Sequence, residues 1–133
     1  DCNARRPRIM ASELRVNTLK DASGNNSVAT SVVFNGTAKA WIHYLGNASS
    51  DLIKDSYNFS SISDLGAGRH TVNYSSSFSN AFYACAGCSS TQRQVHTDTN
   101  THATGSVNFE TDNESGSFTD GVQCQYMIMG DLA

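Results

Sequence analysis

The sequence predicts an all-β protein: an antiparallel β-sandwich or barrel-like head preceded by a short extended N-terminal arm. Three observations carry that expectation. Short runs of apolar–polar alternation recur along the chain, separated by clusters of Gly, Asn, Asp and Ser, which is the pattern of half-buried strands joined by turns. No stretch repeats apolar residues at helical spacing. The composition is polar yet weakly charged, with 38% hydrophobic and 16% charged residues. A net charge of −3 is low for a disordered segment. At 133 residues the chain is sized for one domain with an extension. So small and polar a domain buries little surface alone, and oligomerisation is one way to complete its core.

Residues 1–37 are expected to form an N-terminal extension and assembly arm, and residues 38–133 the head. Residues 1–9, DCNARRPRI, hold the single proline and the Arg5, Arg6 and Arg8 group, and read as a solvated extension upstream of a natural start at Met10. Leu14, Val16 and Thr18 alternate as one face of a short strand. Residues 21–26 make a turn, and Val28 with Val32, Val33 and Phe34 forms a second, weakly apolar run. This arm is too thin to make a core and needs a neighbour.

In the head, Ala38, Ala40, Ile42 and Tyr44 alternate with Lys39, Trp41, His43 and Leu45, so both faces of this strand carry apolar groups. Such a strand is covered on both sides, or one face meets a partner subunit. Leu14, Val16, Trp41, Ile42 and Tyr44 are therefore the expected interface residues. Residues 52–65 read as one extended segment, closed by a Gly66-Ala67-Gly68 hairpin, with His70, Val72 and Tyr74 sharing one side of the return strand. Further on, Phe78, Phe82, Tyr83 and Cys85 mark a strand, Val107 and Phe109 another, and residues 112–116 a turn. Val122, Cys124, Tyr126 and Ile128 then alternate with Gln123, Gln125, Met127 and Met129. Seven or eight short strands of this kind suit a sandwich.

The chemistry that the residues offer is sparse. The acidic balance (pI near 5.7) and scattered cations argue against a nucleic-acid partner. No run of apolar residues is long enough for a membrane span, so no membrane insertion is expected. Cys85-Ala-Gly-Cys88 lacks the second ligand pair of a zinc site and the strand-to-helix setting of a redox pair. Cys85, Cys88 and Cys124 are expected as a disulfide or a thiol cluster, with Cys85 and Cys124 as cross-strand neighbours, or Cys88 paired with either or free. His43, His70, His96 and His102 are dispersed; His96 and His102 share strand parity, but an ordinary polar loop is the simpler reading. Asp98, Glu110, Asp112 and Glu114 read as a solvated acidic edge, and no serine lies in a nucleophile elbow. No catalytic residue, metal or cofactor is expected. Asn-x-Ser/Thr sequons start at Asn25, Asn35, Asn47, Asn58, Asn73 and Asn113, as chance supplies in so Asn- and Ser-rich a chain. Trp41, Tyr44, Tyr57, Tyr74 and Tyr83 are weighed as sugar-stacking rings, with core packing the commoner role.

The stretches SELRVNTLKDASGNNS and AKAWIHYLGNASSDLIKDSYNFSSISDLGAGRHTVNYSSSFSNAFYA, with the closing VQCQYMIMGD, resemble small tail-fibre or fibre-like structural proteins of tailed bacteriophages, of the marine and cyanobacterial phage type. The resemblance spans residues 10–130; CAGC and DCNARRPRI lie outside its pattern. It implies a non-enzymatic virion component on an extracellular particle, a homotrimer joined to other virion proteins through its arm. Its β-rich head would attach to a host-surface glycan or protein receptor. The alternatives are a head decoration or tail adaptor without receptor binding, and a free carbohydrate-binding, lectin-like module.

Overall fold

The computed structural model describes residues 14–48, 52–90 and 92–133. The described residues divide into two compact units, 14–34 and those from 35 on. In the first, β1 (Thr18–Lys20) pairs antiparallel with β2 (Ser27–Ala29). Asp21 organises the turn between them: its carboxylate accepts hydrogen bonds from the Asn25 main-chain N–H (3.0 Å), the Ser23 hydroxyl (3.1 Å) and the Asn26 side-chain amide (2.7 Å). The side-chain bond from Asn26 is the main reason that the Asp21 carboxyl titrates below its usual range. The strand expected from residue 14 begins later, at Thr18.

A helix was not expected, yet α1 (Thr30–Gly36) follows β2 directly. It takes up the run Val32–Val33–Phe34 that reads as extended. Thr30 fixes its start: the Thr30 N–H donates to Asn17 O (3.0 Å) and its hydroxyl to Val16 O (3.1 Å), which closes the hairpin and turns the chain. The β-branched residues beyond it have strand rather than helix propensity, and Val32 and Val33 stay exposed.

The second unit is the sandwich. Its strands are β3 (Ala40–Tyr44), β4 (Ile53–Tyr57), β5 (Phe59–Gly66), β6 (Arg69–Tyr74), β7 (Ala84–Ser89), β8 (Gln94–Thr97), β9 (Ser106–Asp112) and β10 (Cys124–Met129). They form two four-stranded antiparallel sheets, ordered β4-β3-β10-β7 and β5-β6-β9-β8. Chain neighbours hand over from one sheet to the other at both edges, β4 to β5 and β7 to β8.

Asn58 alone makes the first of these corners. The expected single segment over residues 52–65 is in fact two strands in different sheets. Asn58 has φ 60°, a left-handed conformation that Asn tolerates better than most residues. Its side chain holds the bend from both ends of the amide: Oδ1 accepts from Ser76 N (2.7 Å) and Nδ2 donates to Ser76 O (3.1 Å). The next turn follows expectation, with Gly66 and Gly68 at φ 117° and 68°. At Gly68 a side chain would also meet the Thr111 carbonyl and the Thr119 N–H, so neither the angle nor the space admits one.

Period-two alternation sends one face of each sheet inward. Ala40, Ile42, Tyr44, Cys124, Tyr126 and Ile128 of one sheet meet Val72, Tyr74, Val107 and Phe109 of the other, all buried. Ile42 and Tyr44, expected at an interface, are 2% and 0% exposed and belong to this core, because they share parity with Ala40. At its centre the Phe109 and Tyr126 rings stack with centroids 3.8 Å apart and planes 2° from parallel. A second cluster closes one end, where Tyr74, Phe78 and Tyr83 pack with centroids 4.8 to 5.8 Å apart. Phe82, expected within a strand, is 94% exposed; its strand starts only at Ala84.

Phe109→Ala is expected to cost about 3–5 kcal/mol in urea unfolding, the usual penalty for emptying a buried aromatic site. Phe82→Ala should stay within about 0.5 kcal/mol of the parent.

Candidate functional site

The outward faces of the two sheets differ in kind. On β5-β6-β9-β8 the outward side chains are polar and bonded to one another. Arg69, Glu110 and His96 lie in register across three strands, with Arg69 Nε 3.2 Å from Glu110 Oε1 and His96 Nε2 3.2 Å from Glu110 Oε2. Thr71 donates to Asn108 Oδ1 (2.7 Å), and Asn73 Nδ2 to the Ser61 hydroxyl (3.0 Å). Glu110 was read as part of a solvated acidic edge; it is instead 7% exposed, covered by the partners that cross-strand register brings beside it. Most of this face is satisfied from within, although Asp112 Oδ1 on β9 is buried without a hydrogen-bond partner.

On β4-β3-β10-β7 the outward face is apolar and uncovered. Tyr57, Trp41, Met127 and Ala86 stand in register, one from each strand, and form a row across the whole sheet. Tyr57, Trp41 and Met127 are 53%, 39% and 45% exposed. The next outward row is polar: Asp55, His43, Gln125 and Cys88, again one from each strand. The outward residues of β7 are small, so the surface steps down from Trp41 and Met127 into a trough of about 460 Å³, lined by Trp41, His43, Ala86, Cys88, Gln125 and Met127. Cys88 Sγ lies 3.6 Å from Gln125 Oε1, a weak thiol hydrogen bond. His43 Nε2 is sealed from water and has no hydrogen-bond partner.

Of the expected interface set, Trp41 alone lies on this face. Leu14 and Val16 are exposed in the first unit, at 79% and 38%. Tyr57 enters the sequence reading only as a possible sugar-stacking ring, and Met127 and Gln125 not as site residues at all. The parity of Met127 with Gln125 was visible in the sequence, whereas the cross-strand register that unites them with Trp41 and Tyr57 was not.

The cysteines do not meet. Cys85, Cys88 and Cys124 are free thiols. Register sets Cys85 opposite Ile128, Cys88 opposite Gln125 and Cys124 opposite Ser89, so the expected cross-strand pairing of Cys85 with Cys124 is offset by four positions along β10. Cys2 lies outside the described residues. Burial pushes the Cys85 thiol up to about 11 and raises Cys124 as well, which leaves both protonated and unreactive near neutral pH. Cys85 and His96 line one crevice of about 290 Å³ between β7 and β8, but Glu110 engages the His96 Nε2 that would activate a thiol.

The remaining candidates are structural. His102 accepts or donates at Thr97 Oγ1 (2.9 Å) and stacks on Tyr83, on a different surface from His96. Asp98 caps a 3₁₀ turn (Thr99–Thr101) by accepting from Asn100 N at 3.0 Å. His70 is 1% exposed, edge-on to Tyr44 with centroids 5.1 Å apart. Neither His70 ring nitrogen makes a well-formed hydrogen bond, although the Gly46 main chain lies close enough to favour protonation. Burial outweighs Asp64, Asp120 and Gly46 and holds the His70 pKa below its usual value. Among the described residues no group of three or more His, Cys, Asp or Glu side chains is placed to hold a metal ion, and no helix is long and apolar enough to cross a membrane. Comparison with protein-family models, curated proteins and solved structures found no match.

Two outcomes follow from this chemistry. A thiol reagent should label Cys88 rapidly, and Cys85 and Cys124 only after unfolding, as peptide mass mapping will resolve. For His70 the unfolded imidazole titrates near about 6.5 and the folded one lower, so the unfolded chain binds more protons between the two values. Stability is full above the unfolded value and is lost as pH falls below it. The urea midpoint should therefore drop between about pH 7.5 and about pH 5, and drop less in His70→Gln.

Proposed function

We propose that the protein is a non-enzymatic structural component of a tailed-phage particle, a tail fibre or similar appendage. In this reading it assembles as a homotrimer and displays its sandwich for attachment to a host-surface glycan or protein. One observation carries the assembly half: the described part of the arm holds apolar side chains that are not buried. No residue from 14 to 34 is buried, and Leu14, Leu19 and Val32 are 79%, 44% and 59% exposed. A lone two-stranded hairpin is marginal in water, and a seven-residue helix is far too short to persist unaided. Packing such side chains against their counterparts in neighbouring chains contributes roughly 1.5–3 kcal/mol for each one fully buried.

The resemblance of residues 10–130 to phage fibre proteins supports the same plan, since it implies an arm that joins the particle and a head that faces outward. The attachment half draws on the apolar row across β4-β3-β10-β7. A soluble domain that leaves Trp41, Tyr57 and Met127 in line on one face offers a contact surface.

Sedimentation at micromolar concentration tests the assembly. A trimer is expected, and the double variant Leu19→Asp, Val32→Asp should sediment as a monomer with the sandwich's urea midpoint unchanged. A monomeric parent protein would overturn the trimer. Immunogold labelling of purified particles with an antibody to the sandwich should decorate their appendages; label found only on free protein would remove the virion assignment.

A further inference from the structure

We propose that the trough beside Trp41 binds a neutral hexopyranose, a sugar unit that carries no carboxylate, sulfate or phosphate. The inference rests on the attachment reading and names the ligand chemistry and the residues that meet it.

A hexopyranose is two-sided in the plane of its ring and polar at its rim: one face presents C–H groups, and the hydroxyls project from the edge. The trough offers the same division in two adjacent rows. Trp41 and Met127 form the apolar side, with the Trp41 indole 39% exposed. His43 and Gln125 form the polar side, one alternation further along β3 and β10, about 6.7 Å away. A ring laid on the indole therefore has its hydroxyl edge over the polar row. Aromatic faces suit this contact because they are large, rigid and weakly polar. The volume, about 460 Å³, falls within the range of small-ligand sites and exceeds what one ring needs.

The polar row has capacity to spare. Gln125 Oε1 receives the Cys88 thiol, and among the described residues its Nε2 has no hydrogen-bond partner. His43 Nε2 is without a partner among the described residues as well, and because it is sealed from water it meets a ligand hydroxyl only after the ring turns.

Charge selects among sugars. Among the described residues no lysine or arginine lines the trough, and the formal charge of the adjoining polar row is the Asp55 carboxylate, in register with His43 on the neighbouring strand. A carboxylate accepts from hydroxyls and repels anions, so uronic, sialic and sulfated units are disfavoured. A second copy of the chain fits this face less well. Four strands and five residues span a footprint of roughly 300 Å², well below the roughly 800 Å² that each partner buries in a standard interface.

Trp41 is the only tryptophan, so its emission reports on the site directly. The parent protein is titrated with the methyl glycosides of glucose, galactose and mannose, and with methyl N-acetylneuraminic acid as the anionic control. Expected are saturation transfer in NMR to the ring C–H protons of at least one neutral glycoside, and shielding of Trp41 from acrylamide at millimolar sugar. Trp41→Ala should weaken the transfer by about tenfold. Gln125→Ala should weaken it several-fold, with the urea midpoint of each variant checking the fold. The absence of transfer to any neutral glycoside, or stronger transfer to the anionic one, would overturn the proposal. So would shielding of Trp41 that grows with protein concentration and without sugar, since a second copy would then occupy the face. Sugar binding by a monomer that labels no particle would sink the virion assignment and leave the sugar site standing; a labelled trimeric fibre that binds no neutral glycoside would do the reverse.

Discussion

Tyr126 stands on β10, between β3 and β7, and reaches across the whole sandwich. Its ring lies flat on Phe109 of the opposite sheet, and its hydroxyl donates to the main-chain carbonyls of Glu110 (3.0 Å) and His96 (3.3 Å) on β9 and β8. On its own sheet the ring packs against Gly87, where an added Cβ would sit 2.7 Å from Tyr126 Cδ1. The glycine of the CAGC element is thus a seat for an aromatic ring, and no metal or redox chemistry is needed to explain it. Stacking, hydrogen bonding and close approach all act through one side chain, so the spacing and register of the two sheets are fixed at this point. Burial also drives the Tyr126 pKa upward, which keeps the phenol a hydrogen-bond donor at any pH where the fold persists.

With the inner faces committed to that core, alternation leaves no freedom over what faces outward. Ile42 and Tyr44 go in, so Trp41 and His43 must go out; Tyr126 and Ile128 go in, so Gln125 and Met127 must go out. The other sheet obeys the same rule with polar outward residues, and joins several of them in its own ion pairs and hydrogen bonds. The chemical contrast between the two faces therefore lies in the choice of outward side chains. The excess of apolar surface at Trp41 is what directs attention to a partner or ligand.

The strand class and most inward residues were legible because they depend on period two and on turn residues. His70, Val72 and Tyr74 were placed together on one face, and the Gly66–Gly68 hairpin was read from glycine's access to positive φ. What escaped the sequence depended on distant partners. The corner at Asn58 lies inside a continuous extended pattern and is held by Ser76, which stands far along the chain. Helix α1 runs against local propensity. The cysteine expectation assumed a register that pairing with β3 and β7 does not give. For the candidate site, Trp41 stood out by rarity, whereas Tyr57, Met127, Gln125 and Ala86 join it only through three pairings that no local pattern specifies.

The position of β10 has a consequence for how the protein is made. The last strand of the sandwich is an interior one, flanked on both sides by strands translated long before it. Until residues 124–129 leave the ribosome, β3 and β7 have no common neighbour and Phe109 lacks its stacking partner. The sheet that carries Trp41 cannot close before β10 is available, and its formation is dominated by long-range contacts. A chain lacking β10 would expose two unpaired edges, of β3 and β7, beside the apolar row, the combination that favours strand-to-strand aggregation.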